Sequence, residues 1–296
     1  LPKDIQSALS TNIDQSFFPV PVPTSSDWLS QHKEPGQTLL SFERQQMKAT
    51  PHSTYKTIYV QPFQGINELR APSLELISNF SCAFFHGCDI EVLPAVNFLP
   101  TMKRRINEWT KQEQYLVSDL LDYLNEMKSK RNMRKELVCI GVTMSDIYPG
   151  ENWNFVYGQA MMTEGYGVYS FARFDPLFPY KTINIELTDE HRIIILRRAI
   201  KVFIHELMHL FGLHHCIYYL CLMNGANHEK EMDQQPLYLC PVCLRKAYST
   251  FQFNIVDMYQ TIIDHCQKLK FDYETNWYTN RLTHIKSNII ETDTKK

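Results

Sequence analysis

The sequence predicts an α/β (or α+β) protein in which a mixed, twisted sheet and a buried helix precede a small, cysteine-rich helical region. Three observations support this fold class. Short apolar segments with strand character alternate with helical patterns between residues 55 and 187. The next helical pattern, residues 188–210, is apolar on nearly every side and is therefore expected to be buried. Closely grouped cysteines follow it between residues 216 and 243.

The first 54 residues are predicted to be irregular chain. They are rich in Ser, Pro, Gln and Thr, and Pro19, Pro21 and Pro23 indicate a short extended run. Residues 27–29, Asp-Trp-Leu, are expected to attach this segment to the rest of the protein.

Several stretches of the next region have the alternating or apolar character of β-strands. In chain order they are residues 55–60, 89–93, 136–143, 155–160 and 168–174. The stretch 136–143 is strongly apolar, so we expect it near the centre of the sheet. Gly165 and Gly167 favour a turn between the last two strands.

Helical patterns account for most of the remaining chain. Residues 73–85 are predicted to form a helix capped by Ser73, and residues 104–130 a long amphipathic helix. The buried helix should begin at Thr188, whose hydroxyl can cap it, and two acidic residues follow at its positive end. Residues 251–269 are predicted to form one or two further helices.

The buried helix carries the sequence His-Glu-Leu-Met-His at residues 205–209. His205 and His209 lie one helical turn apart, so their imidazoles project side by side and can reach one divalent cation. Glu206 points off that axis, where its carboxylate can take a proton from metal-bound water. A buried helix that merely carries hydrogen-bonded histidines is the alternative.

Gly212 and His215 extend this pattern. Gly212 can adopt the left-handed conformation that ends a helix, after which the chain reverses and His215 can return as a third nitrogen ligand. Three protein ligands leave one tetrahedral position for water, which is the arrangement of catalytic zinc. The adjacent His214 is expected to face away, because neighbouring side chains of an extended chain point in opposite directions. The pattern therefore predicts a zinc-dependent hydrolase.

The grouped cysteines form two close pairs, which is the ligand pattern of a closed structural zinc site. They are Cys216, Cys221, Cys240 and Cys243. Disulfides are the alternative, but nothing in the sequence suggests a secreted chain. The remaining cysteines are widely scattered and are expected to be buried thiols: Cys82, Cys88, Cys139 and Cys266.

These residues resemble the signature of the archaemetzincins, in which HExxHxxGxxH is followed directly by cysteine, a Cys-x-Met and a Cys-x-x-Cys pair. Within the family the chain is most similar to a vertebrate archaemetzincin, the second of two paralogues. A looser likeness covers residues 55–250, including 154–160. The resemblance implies a metzincin-like zincin that acts as a metallopeptidase and binds two zinc ions per chain.

The resemblance also assigns roles to individual residues. It implies a catalytic zinc bound by His205, His209 and His215, with Glu206 as general base. It implies that the grouped cysteines bind the second, structural zinc and staple a small helical C-terminal subdomain. Met223 would form the Met-turn, whereas a methionine by itself indicates no more than core packing.

Residues 55–296 are accordingly predicted to form the catalytic domain, with subdomains at 55–212 and 213–296. The outer strand of such a fold pairs with bound peptide, and residues 167–173 are the segment expected there. The resemblance suggests small peptides as substrates, possible aminopeptidase activity among them. A zinc-stabilised peptide-binding protein with little turnover is the alternative, which the intact Glu206 argues against.

Other polar residues near the motif are expected to be structural. Lys201 shares the polar stripe of the helix and is expected to be solvated or paired. Four more residues could steady a tetrahedral intermediate, but we expect aromatic packing or exposure for them: Tyr218, Tyr219, Tyr238 and His228.

Composition argues against several classes of partner. A formal net charge of −2 does not favour bulk electrostatic binding of nucleic acid. No stretch has the length of a membrane span, and the first residues lack the pattern of a signal peptide. We therefore expect an intracellular, cytoplasmic or nuclear, monomer that binds peptide but neither nucleic acid nor membrane.

Overall fold

The structure is a computed structural model that describes residues 1–11, 15–45, 49–52, 54–64, 66, 69–131, 135–179 and 186–294. The helices are α1 (Lys3–Leu9), α2 (Trp28–Gln31), α3 (Leu39–Glu43), α4 (Leu74–Ser81), α5 (Val117–Arg131), α6 (Asp189–Leu210), α7 (Glu229–Gln234), α8 (Pro241–Phe251), α9 (Ile255–Leu269) and α10 (Asp272–Thr294). The strands are β1 (Thr57–Pro62), β2 (Asp89–Val92), β3 (Arg104–Ile106), β4 (Glu113–Leu116), β5 (Glu136–Thr143), β6 (Asp146–Tyr148), β7 (Gly158–Met161) and β8 (Tyr166–Ser170).

The chain divides into two compact units. The sheet unit consists of residues 47–82 and 87–212, and the cysteine unit of residues 1–46, 83–86 and 213–296. The N-terminal residues thus group with the C-terminal ones. The boundary in the second half of the chain falls between Gly212 and Leu213, directly after the buried helix.

The sheet unit is built on a five-stranded mixed sheet in the order β2-β1-β5-β8-β7. All neighbouring pairs are parallel except β7 and β8, which form an antiparallel pair. The strongly apolar β5 lies at the centre, as predicted, and all its residues except Leu137 are buried. A smaller sheet has the order β3-β4-β6.

The outer strand was predicted incorrectly. Residues 167–173 were expected at the edge, but β8 pairs with β5 on one side and with β7 on the other. Gly165, with a φ of 75°, makes the turn that folds β7 back onto β8. The hairpin therefore covers that edge of β8 and places β7 at the end of the sheet.

The prediction of one helix over residues 104–130 is also wrong. The first part is a hairpin of β3 and β4, and the helix begins at Val117. The Asn107 side-chain oxygen accepts hydrogen bonds from the backbone N–H groups of Trp109 and Thr110, and Lys111 adopts a φ of 59°. This local turn competes with helix formation. The remaining helix is amphipathic, as predicted, with Leu120, Leu121 and Leu124 buried.

The sheet lies between α5 and α6. Val168 packs in the same apolar cluster as Leu120 and Leu124 of α5. The next residue, Tyr169, points to the opposite face, where its ring centroid lies 5.9 Å from that of Phe203 in α6. The buried helix is therefore held against the face of β8 and β7, as its apolar surface requires.

The cysteine unit is helical, and its N-terminal part differs from the irregular chain that was predicted. Three short helices occur there, and the last begins where the Thr38 hydroxyl accepts a hydrogen bond from the Ser41 N–H. The C-terminal helix α10 was not predicted either. No described helix combines the length and the apolar character that crossing a membrane would require.

Candidate active site and metal centres

The two histidines of the motif lie on the last turns of α6. The helix begins as predicted, because the Thr188 hydroxyl accepts a hydrogen bond from the N–H of His191 at 3.2 Å. It ends at Leu210, and Gly212 has a φ of 90°, the left-handed geometry expected of it. The chain therefore leaves the helix one residue after His209.

His205 and His209 face each other across one helical turn. Their Nε2 atoms are 2.9 Å apart, and the ring planes are inclined by 85°. Zinc with Zn–N bonds of about 2.0–2.1 Å in tetrahedral geometry places two ligand nitrogens about 3.3 Å apart. Small adjustments of two side chains would therefore bring both nitrogens onto one zinc ion.

The Glu206 carboxyl group lies against the end strand of the sheet. A Cβ atom at Gly158 in β7 would be 3.2 Å from the Glu206 carboxyl carbon and 2.6 Å from the Cβ of Tyr169. Glu206 retains some exposed surface. The burial of its carboxyl group nevertheless raises its pKa to about 8. Burial, assisted by the charge of Glu206, also raises the pKa of the Tyr169 hydroxyl.

His215 belongs to the cysteine unit, and Glu34 of the same unit holds its ring. The His215 Nδ1 lies 2.8 Å from the Glu34 Oε1. The hydrogen bond from His215, together with one from Trp28, lowers the pKa of Glu34 to about 2 even though burial opposes this. With Nδ1 turned to the carboxylate, Nε2 is the nitrogen that can serve as a metal ligand.

The neighbouring His214 has different partners, in line with the opposite orientation expected for it. Its Nε2 lies 3.2 Å from the Gln45 amide nitrogen, and its backbone N–H donates to the Gln37 side-chain oxygen at 3.1 Å. Burial, and then the charge of Lys246, lower the pKa of His214. A neutral imidazole accepting from Gln45 fits both observations.

The four grouped cysteines converge on one point in the cysteine unit. Their sulfur atoms all lie within 4.8 Å of one another and are buried: Cys216, Cys221, Cys240 and Cys243. Cys216 Sγ and Cys240 Sγ are 3.6 Å apart, which is far longer than a disulfide bond of about 2.05 Å. It is close to the roughly 3.8 Å between ligand sulfurs of tetrahedral zinc with Zn–S bonds of about 2.3 Å. The cysteines are free, so the disulfide alternative is wrong.

The local fold supplies positive potential to this cluster. Cys240 precedes the first residue of α8, Pro241, and Cys243 lies in its first turn, so both sulfurs sit at the positive end of a helix. The backbone N–H groups of Cys240 and Met223 point to the Cys221 sulfur at 3.3 and 3.4 Å. Such N–H groups and a helix N-terminus would offset part of the negative charge of the sulfurs when a metal is bound.

The loop from Cys216 to Asn224 holds the first cysteine pair in place. The carbonyl of the buried Met223 accepts a hydrogen bond from the Cys216 N–H at 2.7 Å. The Asn224 side chain accepts from the Cys221 N–H and donates to the carbonyls of Cys216 and Tyr219. Sequence reasoning missed Asn224, because nothing distinguishes it from an ordinary turn asparagine.

The other cysteines follow the prediction in part. Cys139 and Cys266 are buried, whereas Cys82 is exposed and Cys88 is partly exposed. The last two lie in the chain between α4 and β2, where the polypeptide leaves the helix for the surface.

Three of the remaining polar candidates make contacts within the protein. Tyr238 stacks on Trp277 with ring centroids 3.8 Å apart, and His228 caps α7 by accepting from the Glu231 N–H. Lys201 is buried rather than solvated and interacts within the chain.

His228 also belongs to a group with Asp27 and Glu231 that has the donor types of a metal site. Its carboxylates already accept backbone hydrogen bonds, from Thr24 to Asp27 and from Trp28 to Glu231. These hydrogen bonds give the group a structural role, because they attach the chain around residues 24–28 to α7.

Comparison with known proteins also points to zinc. The model of peptidase family M54 matches residues 90–248. Archaemetzincin-2 of Rattus norvegicus is 35% identical over 270 residues, which cover 83% of this chain and 74% of the relative. Archaemetzincin-1 of Homo sapiens is 30% identical over 270 residues, covering 83% of this chain and 53% of the relative.

A solved structure supports the fold. A zinc-dependent peptidase from Methanocorpusculum labreanum aligns with a TM-score of 0.50 and 19% identity, over 64% of this chain and 99% of its own. The match to the family model spans more than half of the chain, and the identity to archaemetzincin-2 extends over most of it. The chain therefore belongs to peptidase family M54, the archaemetzincins, and is a zinc metallopeptidase.

Proposed function

We propose that this protein hydrolyses small peptides at a zinc ion held by His205, His209 and His215, with Glu206 as general base. The observation that carries the proposal lies within the sheet unit. The facing Nε2 atoms of the helical histidine pair and the Glu206 carboxyl group are gathered at the end of one helix, against the end strand of the sheet.

His215 is proposed as the third ligand because of its position in the chain and the orientation of its ring. His215 follows the left-handed Gly212 by three residues, and its Nδ1 is turned to Glu34. Extended chain spans about 3.3–3.6 Å per residue, so the six residues after His209 give ample length for a return. The position and ring orientation of His215 support its role as third nitrogen.

Each protein group then has a defined task. Zinc, when bound, supplies a Lewis acid that polarises the scissile carbonyl and lowers the pKa of bound water to about 7. Glu206 takes a proton from the attacking water and passes it to the leaving amine. Its carboxyl group lies against β7, on the residue next to the proposed ligand His205, and this position suits that task.

The end strand β7 is the proposed docking edge for the peptide. It pairs with β8 on one side and terminates the order of strands in the sheet. A terminal strand offers backbone N–H and C=O groups to an extended chain. Attack near an amino end, as in an aminopeptidase, is one form of this activity.

We also propose that the four cysteines hold a second, structural zinc, which gives two zinc ions per chain. The free thiols support action in a reducing, intracellular compartment, with the chain as a monomer whose partner is peptide rather than nucleic acid or membrane. Elemental analysis of protein purified without chelator should approach two zinc ions per chain. A value of one would contradict the two-site proposal.

The decisive test uses variants of the proposed site on a peptide library read by mass spectrometry. Glu206→Ala should keep both zinc ions and the fold but lose hydrolysis, because it removes the proton carrier and no ligand. Hydrolysis at the parental rate would refute the role of Glu206.

A histidine pair supplies a matched control. His215→Ala should lose one zinc ion and the activity, whereas His214→Ala should retain its zinc and most of its rate. The reverse result would assign the third ligand to His214.

A further inference from the structure

The N-terminal segment, residues 15–45, runs beside the chain that carries His215. The Leu220 N–H donates to the Phe18 carbonyl at 2.8 Å, and the Val20 N–H donates to the Tyr218 carbonyl at 3.4 Å. Further along, Gly36 lies so close to Tyr218 that an added Cβ would be 2.9 Å from its hydroxyl. The segment is therefore packed along the residues that follow the histidine motif, within the same compact unit.

Glu34 of this segment contacts His215 itself. A single carboxylate oxygen, Glu34 Oε1, lies 2.8 Å from the His215 Nδ1 and 2.8 Å from the Trp28 Nε1. An indole nitrogen can only donate, and an ionised carboxylate can only accept. The His215 proton consequently resides on Nδ1, which leaves the Nε2 lone pair as the ligand electrons.

Trp28 is itself fixed on several sides. Its ring stacks on His32 with centroids 3.8 Å apart, and its backbone N–H donates to Glu231 at 2.8 Å. A Cβ atom added to Gly225 would lie 2.5 Å from the indole, so the glycine backbone packs directly against the ring. The indole also meets the His215 ring edge-on, with centroids 5.0 Å apart. Glu34 is thus held at one end by an anchored donor.

We propose that Glu34 is a positioning residue for His215: anchored by Trp28, it fixes the tautomer and the ring orientation with which His215 presents Nε2 to the catalytic zinc. The inference rests on the proposed role of His215 as third ligand. It gives the N-terminal segment a part in the metal site.

The burial of Glu34 and His215 determines how strongly their hydrogen bond affects zinc affinity. The Glu34 and His215 side chains are only 20% and 19% exposed, so solvent screens their interaction far less than it would a surface pair. Loss of a hydrogen-bond partner behind a metal-bound histidine typically lowers metal affinity or activity by about 10–100-fold. A change within that range is the effect expected here.

The test measures the affinity of the histidine site for zinc by competition with a chelator. Glu34→Ala should raise the zinc dissociation constant of this site by about 10–100-fold. Glu34→Gln keeps an oxygen acceptor for Nδ1–H and should restore a large part of the affinity. Trp28→Phe keeps an aromatic ring but removes the anchoring donor, and should weaken zinc binding less than Glu34→Ala.

Two controls separate positioning from general damage. Glu43→Ala removes a carboxylate of the same segment that faces Arg245, and it should leave zinc affinity unchanged. The zinc held by the four cysteines should remain bound in every variant, which reports that the unit is folded. Equal zinc affinity in Glu34→Ala and the parent protein would overturn the inference.

The same experiment distinguishes failure of the inference from failure of the proposed function. If His215→Ala retains both zinc ions, the proposed ligand set is wrong. If His215→Ala loses one zinc while Glu34→Ala binds as tightly as the parent, only the positioning role is wrong. A loss in Glu34→Ala that Glu34→Gln does not restore at all would also contradict positioning through the Nδ1 hydrogen bond.

Discussion

At the residue scale, Gly158 is required by the close packing of β7 against Tyr169 and Glu206, the proposed general base. An alanine there would place its Cβ 2.6 Å from the Tyr169 Cβ and 3.2 Å from the Glu206 carboxyl carbon. Because the first distance is shorter than any real contact of this kind, β7 must move relative to β8, and this shift would disturb the surroundings of the Glu206 carboxyl group. A misplacement of about 1 Å can cost roughly 100-fold in rate.

We therefore expect Gly158→Ala to lower peptide hydrolysis by at least about tenfold while the zinc content stays the same. Gly150→Ala is the matched control, because nothing lies within 4 Å of the Cβ it would add. Steady-state rates and elemental analysis of both variants check the prediction. Equal rates would show that the strand yields without disturbing Glu206.

Cys88 gives a second prediction at this scale. Burial, and then the charges of Asp89 and Cys82, raise the pKa of Cys88 to about 12. The thiolate is the reactive form, and a raised pKa delays its appearance to higher pH. At pH 8 native Cys88 should therefore react with iodoacetamide much more slowly than an ordinary thiol, and its rate should rise about tenfold with each unit of pH up to about 12.

Mass spectrometry of the alkylated peptide measures this rate, with the protein in urea as the reference. Asp89→Asn should accelerate the native reaction, because it removes one of the charges that oppose ionisation. Alkylation of native Cys88 as fast as in urea would contradict the expected pKa.

At the scale of elements, the loop from Cys216 to Asn224 depends on one buried side chain. Asn224→Ala would leave the Cys221 N–H and the carbonyls of Cys216 and Tyr219 without this partner. Each buried group left unsatisfied costs about 1–3 kcal/mol, so we expect a loss of about 2–4 kcal/mol in the free energy of unfolding. Urea denaturation of the zinc-bound protein measures it.

Asn227→Ala is the control for that loss. The Asn227 amide donates to Ser26 and Gln31 at exposed positions, where water can replace it. We expect a change below about 0.5 kcal/mol. Comparable losses in the two variants would mean that the loop does not depend on Asn224.

Elements whose ends and buried faces are specified by neighbouring residues could be predicted from the sequence. Elements whose position depends on residues far away in the chain could not. The cap at Thr188, the apolar helix surface and the left-handed Gly212 specify α6 from nearby residues alone. The order of strands is different, because the alternation in 155–174 predicts two strands but not which of them is outermost. That order depends on the turn at Gly165, which folds β7 across the edge of β8.

The same contrast applies to the site. The spacing of His205, His209 and His215 names the proposed ligands because their chemistry is local to one helix and one turn. Glu34 could not be identified, because it lies 181 residues from His215 in the chain. No pattern in the sequence marks one glutamate of the N-terminal segment above the others.

At the scale of the whole molecule, a buried cation links the C-terminal helix α10 to the N-terminal helix α1. Arg281 of α10 is fully buried and donates from Nη2 to the carbonyls of Ser7, Ala8 and Ser10 at 2.7–3.2 Å. These carbonyls belong to the last turn and end of α1, where carbonyl groups outnumber the N–H groups that the helix supplies. The guanidinium carbon also lies 4.8 Å from the ring centroid of Phe17.

Arg281→Ala should therefore lower the free energy of unfolding by about 3 kcal/mol or more, because hydrogen bonds to a charged group contribute about 1.5–3 kcal/mol each and are not additive. The loss should be local before it is global, so amides of α1 should exchange with deuterium faster in native protein while those of β5 do not. Lys286→Ala, an exposed cation on the same helix, should change neither quantity. Unchanged protection of α1 in Arg281→Ala would show that the packing of α1 against α10, rather than this side chain, holds α1 in place.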